Sequence, residues 1–154
     1  MDCYSNRMGS SFIDFKDYGF WGSDGRIEVW LYLLVQEIDR LESIPNWLKE
    51  ARDHWLLQAT VGFVGHIHPQ LDDYVMCQDR INLVVMLSER VLKWLNEQGE
   101  YISQEYLNSF GLPHTGAWGY AGDVEVKIFA QIGRKFVELL RGELKTDAST
   151  SPVF

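Results

Sequence analysis

The chain has 154 residues, of which 46% are hydrophobic, 14% aromatic and 23% charged. This length and balance fit one globular domain and exclude a wholly disordered chain. The formal net charge of −8 and the scattered Lys and Arg residues argue against binding to nucleic acids or anionic membranes, which requires clustered cations.

Residues 1–23 are predicted to form an extended arm that packs on the body of the domain. The segment FIDFKDYGFWG has no helical period and leaves room for one short strand. A disordered tail would not usually carry so many aromatic side chains. These side chains are Phe12, Phe15, Tyr18, Phe20 and Trp21.

Apolar residues at helical spacing predict five helices in the rest of the chain. The first begins at a cap provided by Ser23 or Asp24, and its broad apolar stripe is typical of a central helix. Ser103 is the expected cap of the short fourth helix. The predicted helices cover residues 24–42, 45–62, 78–98, 102–110 and 123–142.

These elements predict an all-α fold, a single-domain bundle of about five helices over residues 24–142. An extended aromatic arm precedes the bundle, and a loop rich in glycine and aromatic residues, 111–122, precedes the last helix. Residues 143–154 are polar and are predicted to form a flexible tail.

The cysteines and the lengths of the apolar runs indicate the cellular compartment in which the protein is expected. Cys3 and Cys77 lie far apart and form no CxxC motif, which favours free thiols in a reducing compartment. The first residues lack the apolar stretch of a signal peptide, and the longest apolar runs are too short to span a bilayer. We expect a cytoplasmic protein.

The stretch GFVGHIHPQLDDY, residues 62–74, raises the question of a metal site. Gly65 and Pro69 predict that the helix ends before His66, so that His66 and His68 lie on extended backbone and point the same way. Asp72 and Asp73, with Cys77 and His54 or His114, could complete a zinc or iron set. A metal-binding enzyme or sensor is therefore one alternative, although HxH alone is unspecific and no cofactor is predicted.

No catalytic motif is present, because GxSxG, the P-loop and GxGxxG are all absent from the sequence. The chain is therefore predicted not to be an enzyme, and no catalytic residue is assigned. A further alternative is a regulatory α domain that binds a small ligand in a pocket between tryptophan-bearing helices. The tryptophans concerned are Trp30, Trp47, Trp55 and Trp94.

The favoured hypothesis is a non-catalytic acidic protein-binding module, a bacterial immunity or antitoxin-type inhibitor that neutralises a basic toxin domain by occluding it. The loop LPHTGAWGYAGD combines flexible glycines with aromatic rings, which suits a binding loop. The oligomeric state is left open. The predicted partner-binding residues are Asp72, Asp73, Trp118, Tyr120, Asp123 and Glu125.

Overall fold

The computed structural model describes residues 9–113 and 120–154. Within these ranges a helical core is accompanied by two small antiparallel sheets, so the all-α prediction is wrong and the fold is mixed α/β. The elements in chain order are β1 (Ser10–Phe15), β2 (Tyr18–Ser23), α1 (Asp24–Asp39), α2 (Asn46–Thr60), α3 (Leu71–Tyr74), α4 (Gln78–Glu97), β3 (Tyr101–Ile102), α5 (Gln104–Ser109), β4 (Val124–Glu125) and α6 (Val126–Leu140).

The predicted N-terminal arm is a β-hairpin rather than a single extended segment. β1 and β2 pair in register from Ser10 with Ser23 to Phe15 with Tyr18. Alternation along β1 buries Ile13 and Phe15 and leaves their neighbours partly exposed. This second strand is one reason why the all-α prediction failed.

The core is organised around α1, which packs against α2, α4, α6 and β2. Side chains on nearly every face of α1 are buried, including Trp30, Leu31 and Leu34, because neighbours surround it. This agrees with the central place that its broad apolar stripe indicated. Among the described residues, no helix has both the length and the apolarity needed to cross a bilayer.

The second sheet joins the two ends of the segment that contains α5. Tyr101 pairs with Glu125 and Ile102 pairs with Val124. The last helix therefore begins at Val126 rather than at residue 123, because the two preceding residues are paired as a strand. The sequence had placed these strand residues inside or beside helices, which is the other reason for the wrong fold class.

Residues 143–154 are the predicted flexible tail, and residues 144–154 of this range lie along the outer edge of β2. Leu144 is buried, and Phe154 packs partly buried against the core. Gly19 N–H donates to the carbonyl oxygen of Thr146 at 2.9 Å. The polar composition of the segment is compatible with this ordered position, because backbone groups supply many of the hydrogen bonds.

Candidate functional site

The connection between α2 and α3, residues 62–70, is held in place by two buried polar side chains. Asp24 and Ser11 are both 0% exposed, and the Ser11 hydroxyl donates to Asp24 Oδ1 at 2.5 Å. Gly65 N–H donates to Asp24 Oδ2 at 2.8 Å, and Ile67 N–H donates to Ser11 Oγ at 3.0 Å. Since an unpaired buried amide is costly, these side chains fix the backbone of the connection.

One face of α2 holds the next residues of the same connection. Gln58 Oε1 accepts from His68 N–H at 2.8 Å, and Trp55 Nε1 donates to the carbonyl oxygen of Pro69 at 2.7 Å. His54 Nε2 lies 2.9 Å from the carbonyl oxygen of His68. These three side chains share one helical face, so α2 sets the path of the chain into α3.

His66 and His68 lie on non-helical backbone in the connection between α2 and α3, as expected. His66 and His68 are exposed while Ile67 between them is buried, so both histidines face away from the core. His68 Nε2 is 3.1 Å from Asp14 Oδ1. Within residues 9–113 and 120–154, no three His, Cys, Asp or Glu side chains are grouped to hold a metal ion, and His114 lies outside these ranges.

Exposed carboxylates meet where the hairpin turn touches α3. Asp72 and Asp73 are exposed on α3, and Lys16 N–H in the turn donates to Asp72 Oδ1 at 3.0 Å. Asp17 follows Lys16 directly, and the half-exposed Asp14 lies two residues before Lys16 on β1. We call these four aspartates the acidic turn surface. Asp17 and Asp73 form no ion pair with any described residue.

The backbone around the acidic turn surface is conformationally strained. Among the described non-glycine residues, positive φ angles occur at Lys16 (49°), Asp17 (72°) and Gln70 (53°). The first two form the hairpin turn, and the third immediately precedes α3. Residues other than glycine rarely adopt positive φ angles, because their side chains clash with the backbone. Such strain is concentrated at functional sites in proteins.

Tyr74 lies next to Asp73 and is partly buried. Burial raises the pKa of Tyr74 above its ordinary value of 10.0, and the nearby carboxylates of Glu50 and Asp73 raise it further. Tyr74 also packs its ring against His54 and Trp55, with centroids 5.8 and 6.5 Å away. Of the acidic turn surface, only Asp73 contributes to this shift.

Tyr120, a predicted partner-binding residue, lies half-buried against α5. Its N–H donates to Asn108 Oδ1 at 2.6 Å, and Asn108 Nδ2 donates to its carbonyl oxygen at 3.3 Å. Burial, followed by the negative charge of Glu28, raises the pKa of Tyr120 to about 12. The residue is therefore well held by the body of the domain, whereas Trp118 lies outside the described residues.

Asp123 and Glu125 lie around β4, and both are engaged. Asp123 Oδ1 accepts from Gln104 N–H at 3.1 Å at the start of α5, and Glu125 forms an ion pair with Lys127 at 2.9 Å. This hydrogen-bonded pair raises the pKa of Lys127. Among the described residues, no hydrogen bond or ion pair joins them to Asp72 or Asp73, so the predicted site divides into two groups.

The tryptophans do not surround a large cavity in the described part of the chain. Trp30 and Trp55 are fully buried in the core, and Trp47 lies under Arg80, 4.8 Å from the guanidinium carbon. A groove of about 390 Å³ does lie between α4 and α6. Its lining residues are Leu92, Asn96, Gly99, Glu100, Glu125, Val126, Lys127, Ala130 and Arg134.

Sequence reasoning missed Asp14 and Asp17 as companions of Asp72 and Asp73. The only signal was the predicted strand in FIDFKDYGFWG, which would have required recognition of the hairpin. No family model matches the chain, and neither a curated protein nor a solved structure matches it.

Proposed function

We propose that the chain is a non-catalytic acidic protein-binding module of the bacterial immunity or antitoxin kind, which acts in the cytoplasm by covering a basic toxin domain. The acidic turn surface carries the proposal, because it presents exposed carboxylates from two elements at one place. The net charge of −8 would attract a basic partner over a longer range.

The rigid support of the surface favours binding. The hydrogen bond from Lys16 N–H to Asp72 joins the hairpin turn to α3, and the side chains of Ser11, Asp24 and Gln58 fix the connection that leads to α3. A surface held in its binding geometry loses little conformational entropy when a partner docks. The strained turn is consistent with a surface maintained for contact.

Occlusion follows from the chemistry of the two partners. Toxins that act on nucleic acids use Lys and Arg to contact phosphates. Carboxylates can form charge-assisted hydrogen bonds with the same side chains, and Arg can do so with both oxygens of one carboxylate. An acidic surface seated on such a cleft would therefore exclude the nucleic acid.

The full chain carrying an affinity tag tests the proposal in lysate of the native host. We expect enrichment of one basic protein, identified by mass spectrometry, whose activity falls as the chain is added and is lost near equimolar concentration. Failure to enrich any protein, or an enriched protein whose activity is unchanged by excess chain, would contradict the proposal.

Once that partner has been identified, charge variants locate its contact on the chain. Asp72→Asn/Asp73→Asn keeps the side-chain shape and should weaken binding about tenfold or more, equivalent to ~1.4 kcal/mol. Glu97→Gln/Glu143→Gln removes the same charge from exposed positions elsewhere and should leave the dissociation constant within about twofold. Equal effects of the two double variants would place the contact away from the acidic turn surface.

A further inference from the structure

The outer edge of β2 binds residues 144–154 of the same chain, here called the C-terminal segment, which makes a turn at residues 148–150 before its last residues run beside the strand. Val153 forms a parallel bridge with Trp21. Phe154 N–H donates to the carbonyl oxygen of Trp21 at 2.9 Å, and Ser23 N–H donates to the carbonyl oxygen of Phe154 at 2.9 Å. These contacts follow the pattern by which a peptide adds a strand to an open sheet edge.

Side chains add specificity to the backbone contacts. The Thr146 hydroxyl donates to the carbonyl oxygen of Gly19 at 2.7 Å, while Gly19 N–H donates to the Thr146 carbonyl at 2.9 Å. Trp21 uses its indole N–H to donate to the Ala148 carbonyl at 2.8 Å, and its backbone N–H donates to Ser151 Oγ at 3.1 Å. The edge therefore recognises hydroxyl side chains at two positions of the segment.

An aromatic contact anchors the far end of the segment. The ring of Phe154 meets the ring of Phe20 edge-on, with centroids 6.3 Å apart, and the ammonium of Lys135 lies 5.2 Å from the Phe154 ring centroid. Such aromatic pairs stabilise a contact beyond the area that they bury. Phe154 is therefore the main side-chain anchor on the edge.

The segment can leave the edge without disturbing most of the core. Leu144 is its one buried residue among those described, and the others are exposed or half-buried. Gly142, which follows α6, has a φ of 75° and open space around its Cβ position, and Arg141 and Glu143 beside it are exposed. A change of direction at Gly142 would therefore meet little steric resistance.

We propose that the β2 edge is a strand-binding site which also accepts the C-terminal segment of a second copy, so that two copies exchange these segments. The second copy supplies the same hydroxyl groups and the same Phe154, so each contact made within one chain can be made between chains. Once its own segment has left, the edge is open and readily accepts another strand, and reciprocal exchange closes into a symmetric dimer.

Cysteine cross-linking tests the exchange in the full chain. In a Cys3→Ser/Cys77→Ser background, Trp21→Cys protein is mixed with Val153→Cys protein, incubated at high concentration and oxidised. We expect a disulfide-linked dimer joined through positions 21 and 153, identified by mass spectrometry. Its yield should be several-fold above that of Lys93→Cys mixed with Val153→Cys, since Lys93 lies exposed on α4.

A double variant, Trp21→Cys/Val153→Cys in one chain at low concentration, provides the second measurement. Efficient cross-linking within that chain establishes that the edge holds the segment after both substitutions. If this cross-link forms while the mixed proteins give no more dimer than the Lys93→Cys control, exchange between copies is overturned. If the double variant does not cross-link, the strand-binding site itself is overturned.

Discussion

Trp30 of α1 lies against Gly133 of α6 with no space for a side chain between them. A Cβ at Gly133 would lie 2.4 Å from Cζ3 and 2.7 Å from Cη2 of Trp30. Alanine favours a helix over glycine by about 1 kcal/mol, but overpacking a core costs about 1–3 kcal/mol, and this clash involves a fully buried ring. We expect Gly133→Ala to lower the free energy of unfolding by about 2 kcal/mol in urea titrations.

Gly122→Ala is the matched control for this substitution. Gly122 has no neighbouring atom within 4 Å of its Cβ position and does not have a positive φ. Its substitution should change stability by less than about 0.5 kcal/mol. Equal stability of Gly133→Ala and the wild type would show that Trp30 can move aside.

The native serine at position 88 is expected to make the fold less stable than alanine would at the same position. Within the part of the chain that the structure describes, its buried Oγ has no hydrogen-bond partner, a condition shared with Trp30 Nε1. Because a buried hydroxyl without a partner costs about 1–3 kcal/mol, Ser88→Ala should raise the free energy of unfolding by about 1 kcal/mol.

Ser103→Ala should have the opposite effect in the same denaturation experiment. Ser103 Oγ accepts from Tyr106 N–H at 3.2 Å and caps α5, and loss of such a cap costs about 1 kcal/mol. A loss of stability in both serine variants would indicate that Ser88 has an ordered water partner.

Tyr120 should make the fold sensitive to alkaline pH. Its pKa rises from 10.0 to about 12 in the folded chain. Below pH 10 the tyrosine is neutral in both states. As pH rises from about 10 to 12, the unfolded chain loses this proton first, so folding stability falls by up to about 3 kcal/mol.

Tyr120→Phe cannot ionise and should lack this alkaline loss. The measurement is the difference in unfolding free energy between the wild type and Tyr120→Phe across the alkaline range. That difference should be constant below pH 10. Above pH 10 the unfolding free energy of the wild type should fall relative to that of Tyr120→Phe. A flat difference would mean that Tyr120 titrates normally.

Two substitutions in the hairpin turn should make the fold more stable. Lys16 and Asp17 both have positive φ angles, which two-residue I′ turns require and which Asn-Gly adopts most readily. Lys16→Asn/Asp17→Gly should therefore raise stability by about 1 kcal/mol, measured as the urea midpoint at constant slope. A lower midpoint would show that the native side chains make compensating contacts.

Ser11 should be essential to the connection between α2 and α3. Ser11→Ala removes the hydroxyl that donates to Asp24 and accepts from Ile67 N–H. The loss should be about 2–3 kcal/mol, because it leaves a buried amide and a carboxylate short of partners. Hydrogen exchange at the Ile67 amide should accelerate, whereas Ser10→Ala should leave it unchanged.

Helical periodicity was a reliable guide where one apolar face carried the pattern. The third predicted helix, 78–98, corresponds to α4 at Gln78–Glu97, because Val84, Val91 and Leu95 repeat at the helical period and are buried. The hairpin was missed for a local reason. Its Lys-Asp turn lacks the Asn-Gly or Asp-Gly signal, and the glycines at 19 and 22 weaken the strand pattern.

The candidate site was only partly accessible to sequence reasoning. The exposure of Asp72 and Asp73 on α3 followed from their place after Pro69 in a polar connection. Their meeting with Asp14 and Asp17 depends on the hydrogen bond between Lys16 and Asp72, residues 56 positions apart. A contact of that separation leaves no periodic trace in the sequence.

The C-terminal segment covers the outer edge of β2, a strand that lies near the other end of the sequence. During synthesis, β1 and β2 emerge from the ribosome long before residues 146–154, so the outer edge of β2 stays open while most of the domain is translated. In that interval, neighbouring nascent chains on one messenger present open edges at high local concentration. The time spent in this state, set by translation speed rather than by final stability, would govern how often chains associate before they are finished.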